Sequence, residues 1–143
     1  MTRINHQRVF LGAVIGFIGF AVLGGLISTV ILAARYAAAQ KDGFFLETPR
    51  YPFFMPAWLV TLFLVSWIGA TLYAATRETW GAGPLTALKV GFLLGFASGF
   101  PLSFTSATWL PCPRIFPLFW MIELWAGTML ATFMAGWFYK PKP

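Results

Sequence analysis

Residues 115–139 read IFPLFWMIELWAGTMLATFMAGWFY and enclose Glu123, the one carboxylate found inside any apolar run of the chain. A membrane-spanning helix needs about 20 mainly apolar residues, so this stretch predicts a transmembrane helix. At helical spacing, Glu123 shares a line with Gly127 and Ala131, whose small size lets another helix approach closely. The opposite line is bulky, and we interpret it as a docking surface for lipid or another protein: Trp125, Met129, Phe133 and Trp137.

Three more segments have the length and apolarity of membrane spans, namely residues 9–34, 55–76 and 85–109. The whole chain is 59% hydrophobic and only 10% charged, which is far from the composition of a soluble domain. We therefore predict an all-α, polytopic integral membrane protein, with residues 1–143 forming a single transmembrane domain of four helices in an antiparallel bundle. Too little chain remains for a soluble catalytic domain, so we do not expect an enzyme.

Glycine recurs at every fourth position of two segments. The third segment has Gly91, Gly95 and Gly99, and the first has Gly12 and Gly16. Without side chains on these ridges, neighbouring backbones can come close and gain dispersion contacts. The pattern predicts that the third helix is central and packs against the first and fourth helices. Pro101 is expected to kink or end the third helix, because proline lacks a backbone donor.

Two connections differ in character. Residues 36–54 combine charged and aromatic side chains, so they are interpreted either as an interfacial loop at the lipid headgroups or as a binding epitope for a partner. Residues 81–84 read GAGP, a short run of helix-breaking residues. This second connection predicts that the second and third helices are antiparallel neighbours.

The basic residues predict the orientation in the membrane. If the N-terminus lies inside, six of the ten are cytoplasmic, and this excess favours cytoplasmic termini. The six are Arg3, Arg8, Arg77, Lys89, Lys140 and Lys142, and the other four are Arg35, Lys41, Arg50 and Arg114. Four helices, with a glycine ridge on the third and small residues on the fourth, resemble the arrangement of small bacterial inner-membrane proteins. This resemblance implies a bacterial-type cytoplasmic membrane.

Several function classes are disfavoured by the residues present. The net charge of +6 comes from basic residues at the ends of apolar runs, which are topology signals, so nucleic acid is not an expected partner. His6 is the only histidine and Cys112 the only cysteine, which leaves no conventional zinc site and no intrachain disulfide. We expect no cofactor.

Glu123 is the main candidate for intramembrane chemistry, because an ionisable group at membrane depth is costly. Polar residues expected at a similar depth are Arg35, Ser103, Thr105, Ser106 and Arg114. In one hypothesis the carboxyl group is protonated and only fixes helix packing through a hydrogen bond. In another it handles a proton or a cation. In a third it is ionised and paired with Arg35 or Arg114.

Two functional hypotheses follow. The first is a non-catalytic integral subunit that binds or stabilises a larger membrane complex, since the chain is small and lacks a catalytic constellation. The alternative is a small self-associating transporter or channel for a proton, ion or small solute that uses Glu123. The expected partners are the lipid bilayer together with other integral membrane proteins or further copies of the chain.

Overall fold

The computed structural model describes residues 4–141, and within that range the chain is helical with no strand. The elements are α1 (His6–Leu26), a π-helical turn (Ile27–Ile31), α2 (Ala33–Lys41), α3 (Phe54–Trp80), α4 (Pro84–Trp109) and α5 (Ile115–Phe138). Four helices are long and apolar enough to cross a membrane: α1 continued by the π-helical turn, α3, α4 and α5. The predicted all-α class and multi-pass membrane architecture are confirmed.

Local sequence explains where several helices begin and end. The Asn5 side chain caps α1 by accepting a hydrogen bond from the Arg8 backbone N–H at 3.3 Å. Helix α4 begins at Pro84. Proline suits this position because the first N–H groups of a helix have no acceptor within the helix, so the N–H that proline lacks is not needed. Before it, Gly81 and Gly83 have φ of 87° and 143°, conformations that other residues rarely adopt. These glycines make the tight connection between α3 and α4.

Helix α5 is the centre of the bundle, since it packs against α1, α3 and α4. Helices α1 and α4 flank the α3–α5 pair and have at most marginal contact with each other. The prediction that the third transmembrane helix, α4, is central and packs on the first is therefore wrong. The glycine ridge of α4 occupies one side of that helix and meets one principal partner, whereas α5 has small residues on several sides.

The α4–α5 interface is a close contact between backbones. A Cβ added at Gly91 would lie 2.7 Å from Met129 Cα, and one added at Gly95 would lie 2.7 Å from the Trp125 carbonyl oxygen. At Gly99, the added atom would lie 3.1 Å from the Met121 carbonyl oxygen. Only glycine leaves room for these approaches, and the resulting dispersion contacts hold helices together in lipid.

The α1–α5 interface is also a close contact that depends on glycine. A Cβ at Gly16 would lie 2.6 Å from the Ala131 carbonyl oxygen, and one at Gly12 would lie 3.1 Å from Ala135 Cβ. One turn further along, the Phe20 ring packs directly on Gly127. Phe20 is fully buried, so a large ring fills the space that the small residue leaves.

The two ends of the described chain lie at the same end of the bundle. The Tyr139 hydroxyl accepts a hydrogen bond from the Asn5 backbone N–H at 3.2 Å, and the Asn5 side chain donates to the Lys140 carbonyl at 3.3 Å. The residues Arg3 and Lys142, counted above for topology, lie outside the described range. Four spans with neighbouring ends fit an antiparallel arrangement.

The structure differs from one local prediction and decides between the two alternatives of another. The segment 36–54 is not loop throughout, because α2 occupies its first part up to Lys41. The alanines of this stretch favour a helix, which continues beyond the apolar run. Helix α4 runs through Pro101 to Trp109, in agreement with the predicted span of residues 85–109, so of the two predicted effects of the proline it does not end the helix. Neighbouring helices allow proline in a transmembrane helix, because the backbone group it frees can be satisfied locally.

Candidate cavity around Glu123

Glu123 lies in the third turn of α5 with only 5% of its surface exposed. Gly24 of α1 lies directly opposite, since a Cβ added there would be 2.5 Å from Glu123 Oε1. The indole N–H of Trp58 on α3 donates to the carboxyl group. The carboxyl group is thus positioned by three helices.

Glu123 also lines a cavity of about 610 Å³. The lining residues come from the π-helical turn, from α2 and the loop after it, and from α3, α4 and α5: Ser28, Tyr36, Phe45, Phe54, Met55, Trp58, Leu102, Ser103, Ser106, Trp120, Glu123 and Leu124. The cavity lies between the first turns of α3 and the last turns of α4, at the end of the bundle opposite the tight α3–α4 connection. Phe54, Met55 and Leu102 are more than half exposed and form its rim.

Three serine hydroxyls in the cavity wall behave differently from most hydroxyls of the chain. Ser66 and Thr128, for example, donate to the carbonyl four residues earlier at 2.8 and 2.6 Å. Ser28, Ser103 and Ser106 have no such bond within the described residues, although each lies in a helical segment. Their hydroxyl groups therefore keep their full hydrogen-bonding capacity for the contents of the cavity.

The π-helical turn brings Ser28 to this wall. The Leu32 backbone N–H donates to the Ile27 carbonyl at 3.0 Å, which is the five-residue spacing of a π-helix. Such turns are often found at functional sites, because the extra residue changes the direction of side chains. Ser28 lies within the turn, one helical turn beyond Gly24 and on the same side of the bundle as Glu123.

Helix α2 closes one side of the cavity through aromatic contacts with α5. The Trp120 indole donates to the Tyr36 hydroxyl at 2.7 Å. The Phe45 ring, just after α2, packs edge-on against Phe116 with a centroid distance of 4.8 Å. Burial raises the pKa of the Tyr36 phenol above its usual value, against the opposing effect of the Trp120 bond.

The structure places some of the predicted polar-site residues next to the same cavity as Glu123, and others away from it. Ser103 and Ser106 line the cavity with Glu123. Thr105 points away and is exposed, and its hydroxyl donates to the Pro101 carbonyl at 2.9 Å. Arg35 and Arg114 are also exposed and do not line the cavity, and no ion pair joins either of them to Glu123 in the part of the chain that the structure describes.

The predicted docking surface on α5 is largely covered. Trp125 packs against α4, with ring-centroid distances of 5.1 Å to Phe92 and 5.3 Å to Phe96. Met129 lies against Gly91 of the same helix. Phe133 is half-buried and only Trp137, at 74% exposure, is fully available. The line of four residues is therefore an α4 contact at one end and an open surface at the other.

Sequence reasoning missed six polar or aromatic residues of the cavity: Ser28, Tyr36, Phe45, Phe54, Trp58 and Trp120. The spacing of Ser28 after Gly24 is typical of helix packing, and aromatic residues near helix ends are common at membrane interfaces. Neither pattern distinguishes a cavity wall from these more frequent roles. A signal for the site was present only in Glu123 and the serines of α4.

The fold and the cavity define a four-span membrane protein with a buried carboxyl group in a partly enclosed cavity whose wall is mostly apolar. Comparison of the chain with protein-family models, with curated proteins and with solved structures finds no match.

Proposed function

We propose that the protein is a small transporter that binds a proton or a cation at Glu123. The observation that carries the proposal is the cavity, which a buried carboxyl group lines together with three serine hydroxyls that have no protein partner among residues 4–141. A carboxyl group needed only for packing would be expected to face a neighbouring helix and have its hydrogen bonds satisfied there. Glu123 does face Gly24 of α1 and Trp58 of α3, but it also lines cavity space that no helix fills.

The chemistry of the site suits one positive charge at a time. A carboxylate that loses its proton at this depth is destabilised unless a cation replaces it. Serine hydroxyls can supply oxygen contacts to that cation or hydrogen bonds to the protonated acid. Exchange at Glu123 therefore couples the release of a proton to the entry of a cation, with the net charge of the site unchanged.

We further propose a bacterial-type cytoplasmic membrane with both termini on the cytoplasmic side. The excess of basic residues at the terminal end of the bundle supports this orientation. The cavity would then lie in the outer half of the membrane, with α2 at the outer surface. Self-association of copies through lipid-exposed faces would supply a longer path across the membrane than four helices enclose.

Proteoliposomes with a trapped pH-sensitive dye test the proposal. An imposed cation gradient should drive a proton flux that is lost in Glu123→Gln. Glu47→Gln is the matched control, since it removes an exposed carboxylate from the loop beyond α2 without touching the cavity. Equal flux from the parent and Glu123→Gln would refute the transporter proposal.

Purification distinguishes the accessory-subunit hypothesis from the transporter proposal. In mild detergent, an accessory subunit should be recovered in a stable complex with an unrelated membrane protein, and Trp137→Ala should weaken that complex because Trp137 is the exposed part of the predicted docking surface. A transporter should be recovered as copies of this chain alone and retain its flux in that form.

A further inference from the structure

The lining of the cavity has more aromatic side chains than a site for a proton requires. Five aromatic rings surround the space: Tyr36, Phe45, Phe54, Trp58 and Trp120. Glu123 is the only charged side chain among the lining residues, and it carries no cationic partner there. Aromatic faces around a single carboxyl group are the features that attract an ammonium ion, through ring quadrupoles and charge pairing together.

The volume also argues against a bare ion as the natural occupant. A cavity of about 610 Å³ falls in the range of small-molecule sites, roughly 300–1,000 Å³, and far exceeds the needs of a proton or an alkali ion. Met55, Leu102 and Leu124 complete the wall with apolar surface. These side chains match a hydrophobic body, whereas Glu123 and the serines match a polar head.

Building on the proposed function, we infer that the cargo of this site is a hydrophobic organic ammonium ion, held by its charged nitrogen at Glu123 and by its apolar part among the aromatic rings. An anion would meet the carboxylate without a compensating cation. A neutral hydrocarbon would leave the three hydroxyls without partners and the carboxyl group with Trp58 alone, which is unfavourable in a desolvated site. An amphiphilic cation satisfies both parts of the wall.

The rim indicates the route of entry. Phe54, Met55 and Leu102 are exposed to 51%, 59% and 71% on the outside of the bundle, at the gap between α3 and α4. Side chains of this kind face the bilayer interface, where hydrophobic cations accumulate. The ligand therefore enters sideways between α3 and α4, and not along the bundle axis.

Binding to the purified full-length protein in mild detergent tests the inference, with benzyltrimethylammonium as the probe. Neopentylbenzene is its neutral carbon isostere and isolates the role of charge. The ammonium ion should bind the parent and Glu47→Gln alike and bind Glu123→Gln at least tenfold more weakly. The neutral isostere should bind all three proteins equally weakly. Phe54→Leu, which removes one ring at the exposed rim, should weaken ammonium binding several-fold.

A second measurement needs no variant at Glu123. Dicyclohexylcarbodiimide adds to carboxyl groups within membranes, and mass spectrometry of the parent protein locates the adduct. Benzyltrimethylammonium should protect Glu123 from this reagent, whereas sodium chloride at the same ionic strength should not. Equal protection by both salts would overturn the assignment of an organic ligand.

Failure of the inference is distinguishable from failure of the proposed function. If inorganic cations drive a Glu123-dependent proton flux that benzyltrimethylammonium neither joins nor inhibits, the function stands and the ligand class is wrong. If neither flux nor ammonium binding depends on Glu123, both are overturned.

Discussion

The carboxyl group of Glu123 occupies the space that a methyl group on Gly24 would need. An added Cβ at Gly24 would lie 2.5 Å from Oε1 and 3.2 Å from the carboxyl carbon. The adjacent Gly25 has open space at the same point, with no atom within 4 Å of an added Cβ. Two neighbouring glycines of one helix therefore differ in whether they face Glu123.

This difference predicts opposite outcomes for the two alanine variants. Gly25→Ala should stabilise the protein by up to about 1 kcal/mol, since alanine favours the helix more than glycine does. Gly24→Ala gains the same propensity but displaces the carboxyl group, so it should melt below Gly25→Ala and bind cations more weakly. Thermal unfolding in detergent and the binding measurement provide the comparison. Identical behaviour of the two variants would show that Gly24 does not position Glu123.

Substitution of Glu123 itself separates packing from charge. Glutamine keeps the size of the side chain and an oxygen that accepts from Trp58, so Glu123→Gln should melt close to the parent while losing cation binding. Glu123→Leu removes the acceptor and should be less stable, by about 0.6 kcal/mol and at most roughly 2, the range of intramembrane hydrogen bonds. A Gln variant that accumulates only after Arg35 or Arg114 is neutralised would reveal an ion pair instead.

The α4–α5 contact predicts that a large side chain at position 95 severely destabilises the bundle. Any side chain there meets the Trp125 backbone at 2.7 Å, and backbone cannot rotate away as a side chain can. Gly95→Leu should prevent the two helices from closing and abolish a cooperative melt, whereas Ala97→Leu on the exposed side of α4 should fold normally. Size-exclusion profiles and melting curves of the pair would test this. A folded Gly95→Leu protein would disprove the close contact.

Helix α2 is attached to α5 by a bond that a double-mutant cycle can measure. Tyr36→Phe and Trp120→Phe each remove one partner of the 2.7 Å hydrogen bond. Each should destabilise the protein, and the double variant should lose less than the sum, with a coupling of about 0.5–1.5 kcal/mol. Additive losses would mean that the bond contributes nothing and that the ring contacts alone hold α2.

Two buried threonines one turn apart on α5 predict opposite effects of valine. Both are fully buried, but the Thr128 hydroxyl donates to the Leu124 carbonyl at 2.6 Å, while the Thr132 hydroxyl has no partner in the described part of the chain. Thr132→Val removes an unsatisfied polar group and should be neutral or stabilising, whereas Thr128→Val should lose up to about 1 kcal/mol. The reverse order of melting temperatures would point to an unrecognised partner for Thr132.

The number of spans was predictable because it depends on length and apolarity alone. The spans predicted at residues 55–76 and 85–109 correspond to Phe54–Trp80 and Pro84–Trp109. The partner of each glycine ridge was not predictable. A repeat such as Gly91, Gly95 and Gly99 indicates that some backbone comes close, but the sequence has no marker for which one.

The cavity was predictable only in its polar residues on α4 and α5. Glu123, Ser103 and Ser106 were recognised from their chemistry, but their meeting depends on how each helix is rotated in the bundle. Arg35 and Thr105 lie near the same level and face outward for the same reason. Helix α2 was missed because its alanines follow an apolar run directly, so no change in composition marks the π-helical turn between them.

That turn also accommodates one extra residue in the helix. Its hydrogen bond spans five residues, where an α-helical bond spans four. A five-residue π-helical step turns the chain about as far as four α-helical residues do, so deleting one residue between Ile27 and Ile31 should restore α-helical winding and leave Tyr36 facing Trp120. A deletion in the regular part of α1 should instead rotate everything after it by about 100° around the axis. Along the first span, the loss of one residue should therefore be tolerated best within this turn.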